Sequence, residues 1–538
     1  NIVVKGGFHF ILAEGAHFHD HYPYNEIANG IVDGADNQVT PWIIKVADNQ
    51  IDYIGFGTNK GEFVVYTANS GGATSDAYRQ VQTLNKKVIF DMFFRRNPFN
   101  GGFSVLAGNE TLLDAITEFS FSEDDIKYLA EQKIFEQGFL DFLKDFKFSG
   151  DIYMMDEGTV IFPQEPLLRI HANLIEAQIV EGLILNIVNF QSLIATKTNR
   201  IVRAAGDRVV MEFGARRAHG YDASILGARA AAIGGAKMTA TTIADEMFGF
   251  PATGTMAHSW IQFFNDDYEA FKKYAEVYPS SSVFLLDTFD VLTSGLPAAI
   301  KVAKEIIEPQ GYRLKGVRLD SGDLAYLSKK VRKELDKHGM QDCTIVVSNS
   351  IDEYLIQSLN MQDAKIDSFG VGERLITSKA EPVFGGVYKL VAVENTETHE
   401  FEPRIKISEN VEKIINPGRK RAYRVYDENH LSKIDVIALY HEDLSIGNLK
   451  VVDPKKSWKA YEVNEGTMEE LLVPIFRKGE LVYKVPTLEE IIAYSKQQQE
   501  YVMEEEKRFN YPHKHYVDLS YELNELKIQM LKDNGEWQ

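Results

Sequence analysis

The sequence predicts an α/β protein: an irregular TIM-like α/β barrel, preceded by an N-terminal α+β domain and followed by an appended C-terminal domain. Between residues 208 and 395, short apolar runs repeatedly end in glycine, small or charged residues, and a helical segment usually follows. This pattern is typical of strands and helices that alternate around a parallel sheet. Residues 75–165 mix strand and helix patterns, whereas the chain after about residue 396 is polar and loop-rich.

The length and composition are those of a globular protein with several domains. The chain has 538 residues, of which 44% are hydrophobic and 25% are charged. One domain usually takes about 150 residues. We therefore expect an atypical N-terminal segment of unknown role over 1–74, the α+β domain over 75–165, the catalytic barrel over 166–395, and the C-terminal domain with a charged helical tail over 396–538.

The α+β domain is predicted from two strand-like runs and one capped helix. VIFDMFF and IYMMDEGTVIF are apolar runs of the kind that form strands. SEDDIKYLAEQ begins with Ser122 and Asp125, which have the spacing of a helix cap. The stretch 172–203 then predicts one long apolar helix, buried on most of its surface, which suits a subunit interface or the outer layer of a barrel.

Eight apolar runs are predicted to be the strands of the barrel. Because polar residues at the carboxyl ends of barrel strands meet at one mouth, we expect the active site there. The runs, in chain order, are VVMEFGARR, AIGGAKMT, ATGTMAHSW, SVFLLDTFD, LKGVRLDSGD, CTIVVSNS, KIDSFGVG and GGVYKLVAV.

The C-terminal domain is predicted to combine a basic patch with an exposed acidic tail. The patch is PGRKRAYR, residues 417–424. YVMEEEKR is interpreted as a solvated helix, and His513 and His515 in YPHKHY as surface residues.

Charge and cysteine content exclude several classes of partner. The formal net charge is −20, so the mean field repels nucleic acid and anionic lipid, and a phosphorylated substrate needs a local basic cluster. Cys343 is the one cysteine, which excludes an intrachain disulfide and fits a reducing compartment. No uninterrupted apolar stretch reaches the roughly 18 residues of a membrane span. We therefore expect a soluble, cytoplasmic protein that binds neither nucleic acid nor membrane.

Two strand ends offer groups that bind phosphate. Arg216 and Arg217 follow EFGA, and adjacent guanidiniums at a barrel mouth hold a carboxylate or a phosphate in a planar fork; the alternative is two solvated surface arginines. Gly235, Thr239 and Thr241 supply backbone N–H groups and hydroxyls that suit a phosphate cradle at a helix start.

Later strand ends place one histidine near three carboxylates. His258, in GTMAHSW, is either a general base, a nucleophile that accepts a phosphoryl group, or a structural histidine. Asp287, Asp320 and Asp323 can hold Mg²⁺, bind ribose hydroxyls or face a developing positive charge. The alternative is that these carboxylates cap the helices that follow.

Two glycine pairs complete the predicted site. Gly370 and Gly372 in SFGVG, and Gly385 and Gly386 in VFGGVYK, predict loops that a ligand approaches closely, near the late strands where such barrels bind phosphate. Together with the arginine fork, the carboxylates and the histidine, these loops predict a site for a sugar phosphate.

These segments resemble the nicotinate phosphoribosyltransferase family. EFGARRAHG, GTMAHSW, LLDTFD, GVRLDSGDL, SNSIDE, FGVGERLITS and FGGVYKLV occur in the order and spacing of that family, and EGTVIFPQEPLLRI with NFQSLIATK matches its earlier part. The resemblance covers roughly residues 86–450, and KISENVEKIINPGRKRAYRVY is similar to the family's C-terminal domain.

The resemblance implies an ATP-coupled transfer of phosphoribosyl from 5-phosphoribosyl-1-pyrophosphate to nicotinate, giving nicotinate mononucleotide and pyrophosphate in NAD salvage. It also implies Mg²⁺, whose ligands it does not assign, a homodimer with a shared active site, and a phosphohistidine formed when His258 takes the phosphoryl group of ATP. The family's contacts fall on Arg216, Arg217, Gly254, His258, Ser259, Asp287, Arg318 and Asp320, with phosphate held near Gly370, Gly372, Gly385 and Gly386.

Two departures from the family pattern bear on substrate binding. Family members begin near a Thr-Asp-Leu-Tyr-Gln motif whose tyrosine stacks on the pyridine ring, often across the dimer interface. The corresponding segment here is SDAYR, residues 75–79, which makes Tyr78 the expected ring partner. Glu373 stands in GVGERL where threonine is common, and a carboxylate beside a phosphate loop weakens phosphate binding unless it turns away.

Four alternative functions remain open from the sequence. A nicotinamide phosphoribosyltransferase is disfavoured because an uncharged amide leaves a carboxylate-binding guanidinium partly unpaired. A quinolinate phosphoribosyltransferase has no need of the GTMAHSW histidine. A binding or regulatory relative that has lost turnover is suggested by the unplaced residues 1–74, and a generic barrel aldolase or isomerase would need a lysine such as Lys389 at the mouth.

Overall fold

The computed structural model describes residues 86–410, 413–456 and 458–534. In these ranges the chain forms a parallel six-stranded sheet, an antiparallel seven-stranded sheet, a mixed six-stranded sheet and a two-stranded ribbon. The protein is therefore a mixed α/β protein. The N-terminal segment 1–74 and the expected ring partner Tyr78 lie outside the described residues.

The strands are mostly short, as expected for the apolar runs bounded by turn residues. In chain order they are β1 (Lys87–Phe94), β2 (Ser104–Val105), β3 (Asp151–Met154), β4 (Val160–Ile161), β5 (Leu168–Asn173), β6 (Val209–Glu212), β7 (Met238–Thr239), β8 (Val283–Leu285), β9 (Gly316–Leu319), β10 (Thr344–Val347), β11 (Ser368–Val371), β12 (Gly386–Glu394), β13 (Phe401–Pro403), β14 (Lys420–Tyr426), β15 (Ser432–Leu439), β16 (Leu449–Val452), β17 (Ala460–Val463), β18 (Thr467–Glu470), β19 (Val473–Arg477), β20 (Glu480–Leu481) and β21 (Val517–Ser520).

The helices connect and cover these strands. In chain order the α-helices are α1 (Asn109–Glu118), α2 (Glu123–Glu131), α3 (Gln137–Lys144), α4 (Leu174–Ile179), α5 (Glu181–Ala205), α6 (Tyr221–Ile233), α7 (Thr242–Phe248), α8 (His258–Phe264), α9 (Asp267–Val277), α10 (Leu296–Val302), α11 (Leu324–Lys337), α12 (Glu353–Met361), α13 (Glu373–Ile376), α14 (Leu488–Glu500) and α15 (Tyr521–Asp533). Helix α2 begins with the predicted capping box, in which Ser122 and Asp125 each accept a hydrogen bond from the other's backbone.

The parallel sheet has the order β7-β6-β11-β10-β9-β8, and every neighbouring pair is parallel. The edge strands β7 and β8 do not pair with each other within the described residues, so the sheet is open. The sheet and its helices share one hydrophobic core. The carboxyl ends of its strands lie at one edge, as the alternation of strands and helices predicts.

Two of the eight predicted barrel strands are not strands of this sheet. ATGTMAHSW makes only an isolated bridge between Thr239 and Ala252 before α8 begins. GGVYKLVAV forms β12, which pairs with β1 in the antiparallel sheet, with Lys389 opposite Asp91. An apolar run predicts that a strand is buried but does not specify its neighbour, so the barrel assignment of these two runs was wrong.

The antiparallel sheet has the order β13-β12-β1-β5-β3-β19-β20 and joins distant parts of the chain. Its strands come from the predicted α+β domain, from both ends of the predicted barrel and from the C-terminal domain. Helices α1 to α5 share a second hydrophobic core with it. The boundaries at 165 and 395 therefore do not separate independent sheets.

The C-terminal region contains more regular structure than its polar composition predicts. Strands β14 to β18 and β21 form the mixed sheet, in the order β17-β16-β21-β15-β14-β18. Strand β14, KRAYRVY, is buried along nearly its whole length, including Lys420 and Arg424. Charged residues in a sequence usually indicate an exposed segment. Here Lys420 and Arg424 are paired with the buried carboxylates of Asp91 and Asp435, so the composition did not predict a buried strand.

The acidic tail and His515 also differ from the prediction. Helix α14 ends at Glu500, so YVMEEEKR follows it as turns instead of a solvated helix. The His515 side chain is buried: its ring stacks on Phe162 with 3.7 Å between centroids, and its Nδ1 lies 2.9 Å from Glu506 Oε1. His513 is exposed, as predicted.

His515 belongs to a buried ionic group that we call the closed cluster, formed by Glu165, Arg424, Asp435, Glu506 and His515. Arg424 Nη2 lies 2.6 Å from Asp435 Oδ2 and 3.7 Å from Glu165 Oε1. His515 Nε2 lies 3.4 Å from Asp435 Oδ1. The cluster joins the segment before β5 to the mixed sheet and to the segment after α14.

The predicted long helix is two helices, since α4 and α5 are separated at Val180. The combined stretch Leu174–Ala205 is long and apolar enough to cross a membrane by length and composition, but 67% of its most apolar window is buried inside the protein. Helix α5 packs on α6 and α12. These helices therefore serve as the core of the fold.

Candidate active site

The carboxyl ends of β8, β9 and β10 bring three polar side chains together. Asp287 lies just beyond β8, Asp320 follows β9 and Ser348 follows β10. Asp287 Oδ2 accepts a hydrogen bond from the Asp320 N–H at 3.2 Å and another from the Ser321 hydroxyl. The Ser348 hydroxyl donates to Asp320 Oδ1. Because neighbouring parallel strands end at the same edge, residues far apart in sequence form one polar site.

Arg318 braces this site from within β9. Its Nε donates to Ser348 Oγ at 2.9 Å, its Nη1 to Thr255 Oγ1 at 2.8 Å, and its Nη2 to Asp320 Oδ1 at 2.8 Å. The guanidinium is largely buried, with 16% of the side chain exposed. A guanidinium has five N–H donors, so two remain for a ligand after these three contacts.

Asp320 is held in its ionised form. Burial alone raises its pKa, but hydrogen bonds from Ser348 and Arg318, together with the charges of Arg318 and His258, lower the pKa of this carboxyl below its usual value. The side chain remains 26% exposed, so a ligand can reach its negative charge.

His258 is the first residue of α8 and faces the same carboxylate. Its Nδ1 lies 3.0 Å from Thr288 Oγ1, and its Nε2 lies 3.6 Å from Asp320 Oδ2. The imidazole is 39% exposed. The ring is thus oriented on one side by a hydroxyl and a carboxylate and open to solvent elsewhere. We call the group of His258, Asp287, Arg318, Asp320 and Ser348 the open cluster.

Asp323 does not join these contacts. It is the N-cap of α11, and its Oδ1 accepts the Tyr326 N–H at 3.0 Å. The helix-capping alternative therefore describes Asp323, whereas Asp287 and Asp320 are held by strand-end contacts. Gly254 and Ser259, which flank Thr255 and His258, are both exposed.

A second group forms at the ends of β6 and β7 around Glu212. Its carboxylate accepts hydrogen bonds from the Gly214 N–H, from Thr239 Oγ1 at 2.6 Å and from Thr241 Oγ1 at 3.5 Å. Burial raises the pKa of Glu212, and the three hydrogen bonds partly oppose that rise. The hydroxyls of Thr239 and Thr241 are thus turned toward a carboxylate, which differs from the predicted phosphate cradle.

Arg216 and Arg217 follow this carboxylate on a short 3₁₀ turn. The turn is closed by a hydrogen bond from the Arg217 N–H to the Gly214 carbonyl at 2.7 Å. Both arginines are exposed, and among the described residues neither guanidinium makes a hydrogen bond or ion pair. They are therefore available to an anionic ligand.

The glycines have different roles. A Cβ at Gly370 would lie 2.6 Å from the Phe213 ring, and one at Gly372 would lie 2.9 Å from the Phe213 carbonyl, so both permit the loop after β6 to pack on β11. Gly386 begins β12, its N–H donates to Asn189, and a Cβ there would meet the same amide. Gly385 precedes it with a left-handed φ of +76°. Since β12 belongs to the antiparallel sheet, this pair is not at a strand end of the parallel sheet.

Gly235 lies at the other end of its strand from the predicted mouth. Its N–H donates to Ala232 at the end of α6, and β7 begins only at Met238. Its φ of +108° shows that it terminates the helix, which is why glycine is favoured there. The structure therefore does not bring Gly235 to the carboxyl ends of the strands.

Glu373, the departure from the family pattern, is paired. Its Oε1 lies 2.6 Å from Lys379 Nζ at the surface. The hydrogen bond and charge of Lys379, with smaller effects from Arg217 and Arg374, lower the pKa of Glu373 below its usual value. The negative charge beside the glycine loop is thus balanced locally.

Four contributors were missed from the sequence: Glu212, Thr255, Thr288 and Ser348. A signal existed for Glu212 and Ser348, since each is a polar residue at the end of an apolar run. Thr255 and Thr288 carry no such signal. The described residues contain no group of three or more His, Cys, Asp or Glu side chains arranged to hold a metal ion.

Comparisons with known proteins give a consistent result. Residues 209–430 match the model of the nicotinate phosphoribosyltransferase (NAPRTase) family, and residues 73–189 and 419–527 match that enzyme's N-terminal and C-terminal domains. The nicotinate phosphoribosyltransferase of Bacillus subtilis (strain 168) is 44% identical over 452 residues, which cover 83% of this chain and 91% of the relative. That of Dictyostelium discoideum is 34% identical over 492 residues, covering 81% and 82%. The crystal structure of human nicotinic acid phosphoribosyltransferase matches with a TM-score of 0.76 at 26% identity, covering 86% of this chain and 99% of that chain.

Proposed function

This chain belongs to the nicotinate phosphoribosyltransferase family, and we propose that its open cluster performs the family's reaction with ATP hydrolysis coupled to it. The chain transfers phosphoribosyl from 5-phosphoribosyl-1-pyrophosphate to nicotinate, giving nicotinate mononucleotide and pyrophosphate in NAD salvage. The observation that carries the proposed mechanism is the contact of Arg318 and His258 with one carboxylate, Asp320, at the carboxyl edge of the parallel sheet.

The open cluster suits a transition state with positive charge on the ribose. The nicotinate ring nitrogen attacks ribose C1, and the bond from C1 to the pyrophosphate oxygen breaks with its electron pair leaving on pyrophosphate. Charge on the ribose becomes oxocarbenium-like as that bond breaks, and an ionised carboxylate stabilises it. Asp320, whose pKa is lowered, supplies this charge, and Asp287 lies beside it.

His258 is proposed to couple ATP to this step. A ring nitrogen takes the terminal phosphoryl group of ATP, ADP leaves, and later hydrolysis of the phosphohistidine releases phosphate. The partly exposed ring, oriented by Thr288 and Asp320, supports this role. A phosphoryl group on His258 adds negative charge next to Asp320. This added charge changes the affinity of the site for the charged donor, and in this way ATP affects donor binding.

Mg²⁺ fits the site as an ion that enters with the pyrophosphate of the donor. Magnesium is usually held by one or two carboxylates and substrate phosphates, so it does not require a three-ligand protein cluster. Asp287 Oδ1 is buried and makes no hydrogen bond within the described residues, which leaves a carboxylate oxygen for such an ion. The ion would neutralise charge on the departing pyrophosphate.

Binding of the two substrates is proposed to divide between the two groups of residues. Arg216 and Arg217 bind an anionic group, either a donor phosphate or the nicotinate carboxylate, because neither guanidinium makes a hydrogen bond or ion pair in the described part of the chain. Arg318 offers its remaining donors to the same substrates. Pairing of an arginine with the nicotinate carboxylate would select against nicotinamide, which leaves the guanidinium partly unpaired.

The remaining family features are proposals for this chain. The open parallel sheet is proposed to be an irregular TIM-like barrel whose seam between β7 and β8 is incomplete. The protein is proposed to be a cytoplasmic homodimer with a shared site, in which Tyr78 of one subunit stacks on the pyridine ring bound by the other. The long apolar stretch Leu174–Ala205 is mostly buried in the core, which supports a soluble protein.

The test is a mass-spectrometric assay with phosphoribosyl pyrophosphate, Mg²⁺ and either nicotinate or nicotinamide, each with and without ATP. We expect nicotinate mononucleotide, formed faster with ATP, and little product from nicotinamide. The matched variant is His258→Ala, which we expect to keep basal turnover in part and to lose the stimulation by ATP.

Each other outcome points to a different function. Preferential use of nicotinamide would favour the nicotinamide phosphoribosyltransferase alternative. Tight donor binding without product from either pyridine would favour a non-catalytic relative. Full ATP stimulation in His258→Ala would overturn the phosphohistidine proposal and leave the transfer reaction intact.

A further inference from the structure

Glu212 is a carboxylate buried at the end of β6 with no cation beside it. It is fully buried, and in the sheet it pairs with Val371 of β11 on one side and Thr239 of β7 on the other. Within the described residues it makes no ion pair. Burying a carboxylate without a neighbouring cation is unfavourable unless hydrogen bonds replace those lost to water. The hydrogen-bond donors around Glu212 therefore make its burial possible.

Those partners lie where two neighbouring strands end. One carboxylate oxygen accepts the Gly214 N–H, in the loop after β6. The other accepts the hydroxyl of Thr239, the last residue of β7, and that of Thr241, in the loop after β7. The Thr239 hydroxyl in turn accepts the Thr241 N–H at 3.0 Å. A single side chain therefore holds the ends of two neighbouring strands in register.

The first of these loops leads directly into the arginine turn. The Gly214 carbonyl accepts the Arg217 N–H, so the residue whose N–H is bonded to Glu212 also closes the turn through its carbonyl. Space at Gly214 is limited, because a Cβ there would lie 2.5 Å from Ile376 Cβ. The backbone that places Arg216 and Arg217 is thus fixed by one hydrogen bond to Glu212 and by close packing on α13.

We propose that Glu212 is a positioning residue for substrate binding, which sets the place of the Arg216–Arg217 turn against the open cluster. The inference rests on the proposed function only in that these arginines bind an anionic substrate group. Glu212 itself contacts no substrate. Its effect reaches the ligand through the backbone of the turn.

The experiment compares the wild-type chain with Glu212→Gln in steady-state kinetics and in equilibrium binding of phosphoribosyl pyrophosphate by calorimetry. Glutamine keeps the size of the side chain but loses the negative charge, and its amide nitrogen can only donate, so the three hydrogen bonds that the carboxylate accepts cannot all be kept unchanged. We expect KM for the substrate held by the arginines, or Kd for the donor, to rise about tenfold, with kcat changed less than about threefold.

The matched control is Glu165→Gln, another fully buried glutamate, which lies in the closed cluster. It is expected to leave KM and the donor Kd unchanged. A general effect of removing a buried carboxylate would raise KM in both variants and would overturn the proposal.

A double-mutant cycle separates positioning from a structural role. In the Arg216→Ala/Arg217→Ala background, the binding effect of Glu212→Gln should disappear, because the group that it positions is absent. An undiminished effect in that background would overturn the proposal. If Glu212→Gln does not fold, Glu212→Asp keeps the charge but shortens the side chain, and the same rise and the same non-additivity are expected.

Failure of this inference is distinguishable from failure of the proposed function. The proposed function fails if the wild-type chain forms no nicotinate mononucleotide, whatever the variants do. The inference fails if donor binding and KM are unchanged in a folded Glu212 variant. Calorimetric titrations with phosphoribosyl pyrophosphate and, separately, with nicotinate decide the second point without turnover.

Discussion

The closed cluster and the open cluster contain the same three kinds of side chain, arginine, aspartate and histidine, in similar contacts. In the closed cluster, Arg424 and His515 lie 2.6 Å and 3.4 Å from oxygens of Asp435. The corresponding arginine and histidine distances in the open cluster are 2.8 Å and 3.6 Å. The largest difference is burial: these side chains are at most 2% exposed in the closed cluster and 16–39% exposed in the open one.

Burial decides what the shared chemistry can do. In the closed cluster, burial raises the pKa of Glu165, and the neighbouring Asp435 carboxylate raises it further. Burial also acts to raise the pKa of Asp435, but Arg424 and His515 lower it far below its usual value. These charges satisfy one another and no ligand reaches them, so the cluster acts on stability. In the open cluster the same pairing leaves charge that a substrate can use.

The largest expected effect comes from breaking the closed cluster at Asp435→Asn. Removing the charge of Asp435 leaves Arg424 with only the more distant Glu165 and His515 with only Glu506, so the two buried cations lose a shared partner and the free energy of unfolding should fall by about 3–5 kcal/mol. Urea unfolding measures this change. The kcat of the folded fraction should stay within about twofold. A loss of activity without loss of stability would contradict the assignment of a purely structural role.

The counterpart in the open cluster is Asp320→Asn. The amide still accepts the hydrogen bond from Arg318 but carries no charge against the developing oxocarbenium ion, so kcat should fall about 10²–10³-fold. Unfolding free energy should change by less than about 1 kcal/mol because the site is partly exposed. Activity within tenfold of wild type would show that this carboxylate does not act in the transition state.

The pH dependence of stability gives a third comparison, through His515. Burial acts to lower the pKa of His515, but the carboxylates of Asp435 and Glu506 raise it above its usual value. The folded protein therefore holds the proton more tightly than the unfolded chain, whose histidines titrate near about 6.5. The resulting stabilisation is fully present below that value and is lost as the pH rises through the raised pKa.

The measurement is the free energy of unfolding of wild type and His515→Gln, by urea titration from pH 6 upward. The wild-type advantage over the variant should shrink as the pH rises, because the imidazolium is then lost from the folded state. An advantage that grows with pH would show that the buried ring is neutral when folded.

The smallest expected effect is at the exposed pair Glu373–Lys379. Lys379→Ala leaves the Glu373 carboxylate unbalanced beside the glycine loop, so KM for phosphoribosyl pyrophosphate should rise about two- to threefold at low salt and less at high salt. Glu373→Thr is the paired variant and should not raise KM. A KM for Lys379→Ala that does not respond to salt would exclude an electrostatic cause.

Much of the parallel sheet could be predicted from the sequence. The apolar runs that become β6 and β8 to β11 are bounded by small and charged residues, and Asp287 and Asp320 stand where those runs end. Whether a residue lies at the end of a strand depends on the local sequence, so the spacing of apolar and polar residues was sufficient to predict these two positions. Spacing was also sufficient for the Ser122 cap, but it did not distinguish Asp323, which caps α11, from its neighbour Asp320.

The rest required contacts between distant segments. The sequence by itself determined the mixed α/β class, the family resemblance and the polar residues at the strand ends, because these depend on local pattern and order. Only the tertiary structure decided that β12 joins the antiparallel sheet, that His515 is buried against Asp435 and Glu506, and that Glu212 accepts hydrogen bonds from Thr239 and Thr241. The physical reason is that burial and pairing depend on what packs against a residue, and those partners lie up to hundreds of residues away in the chain.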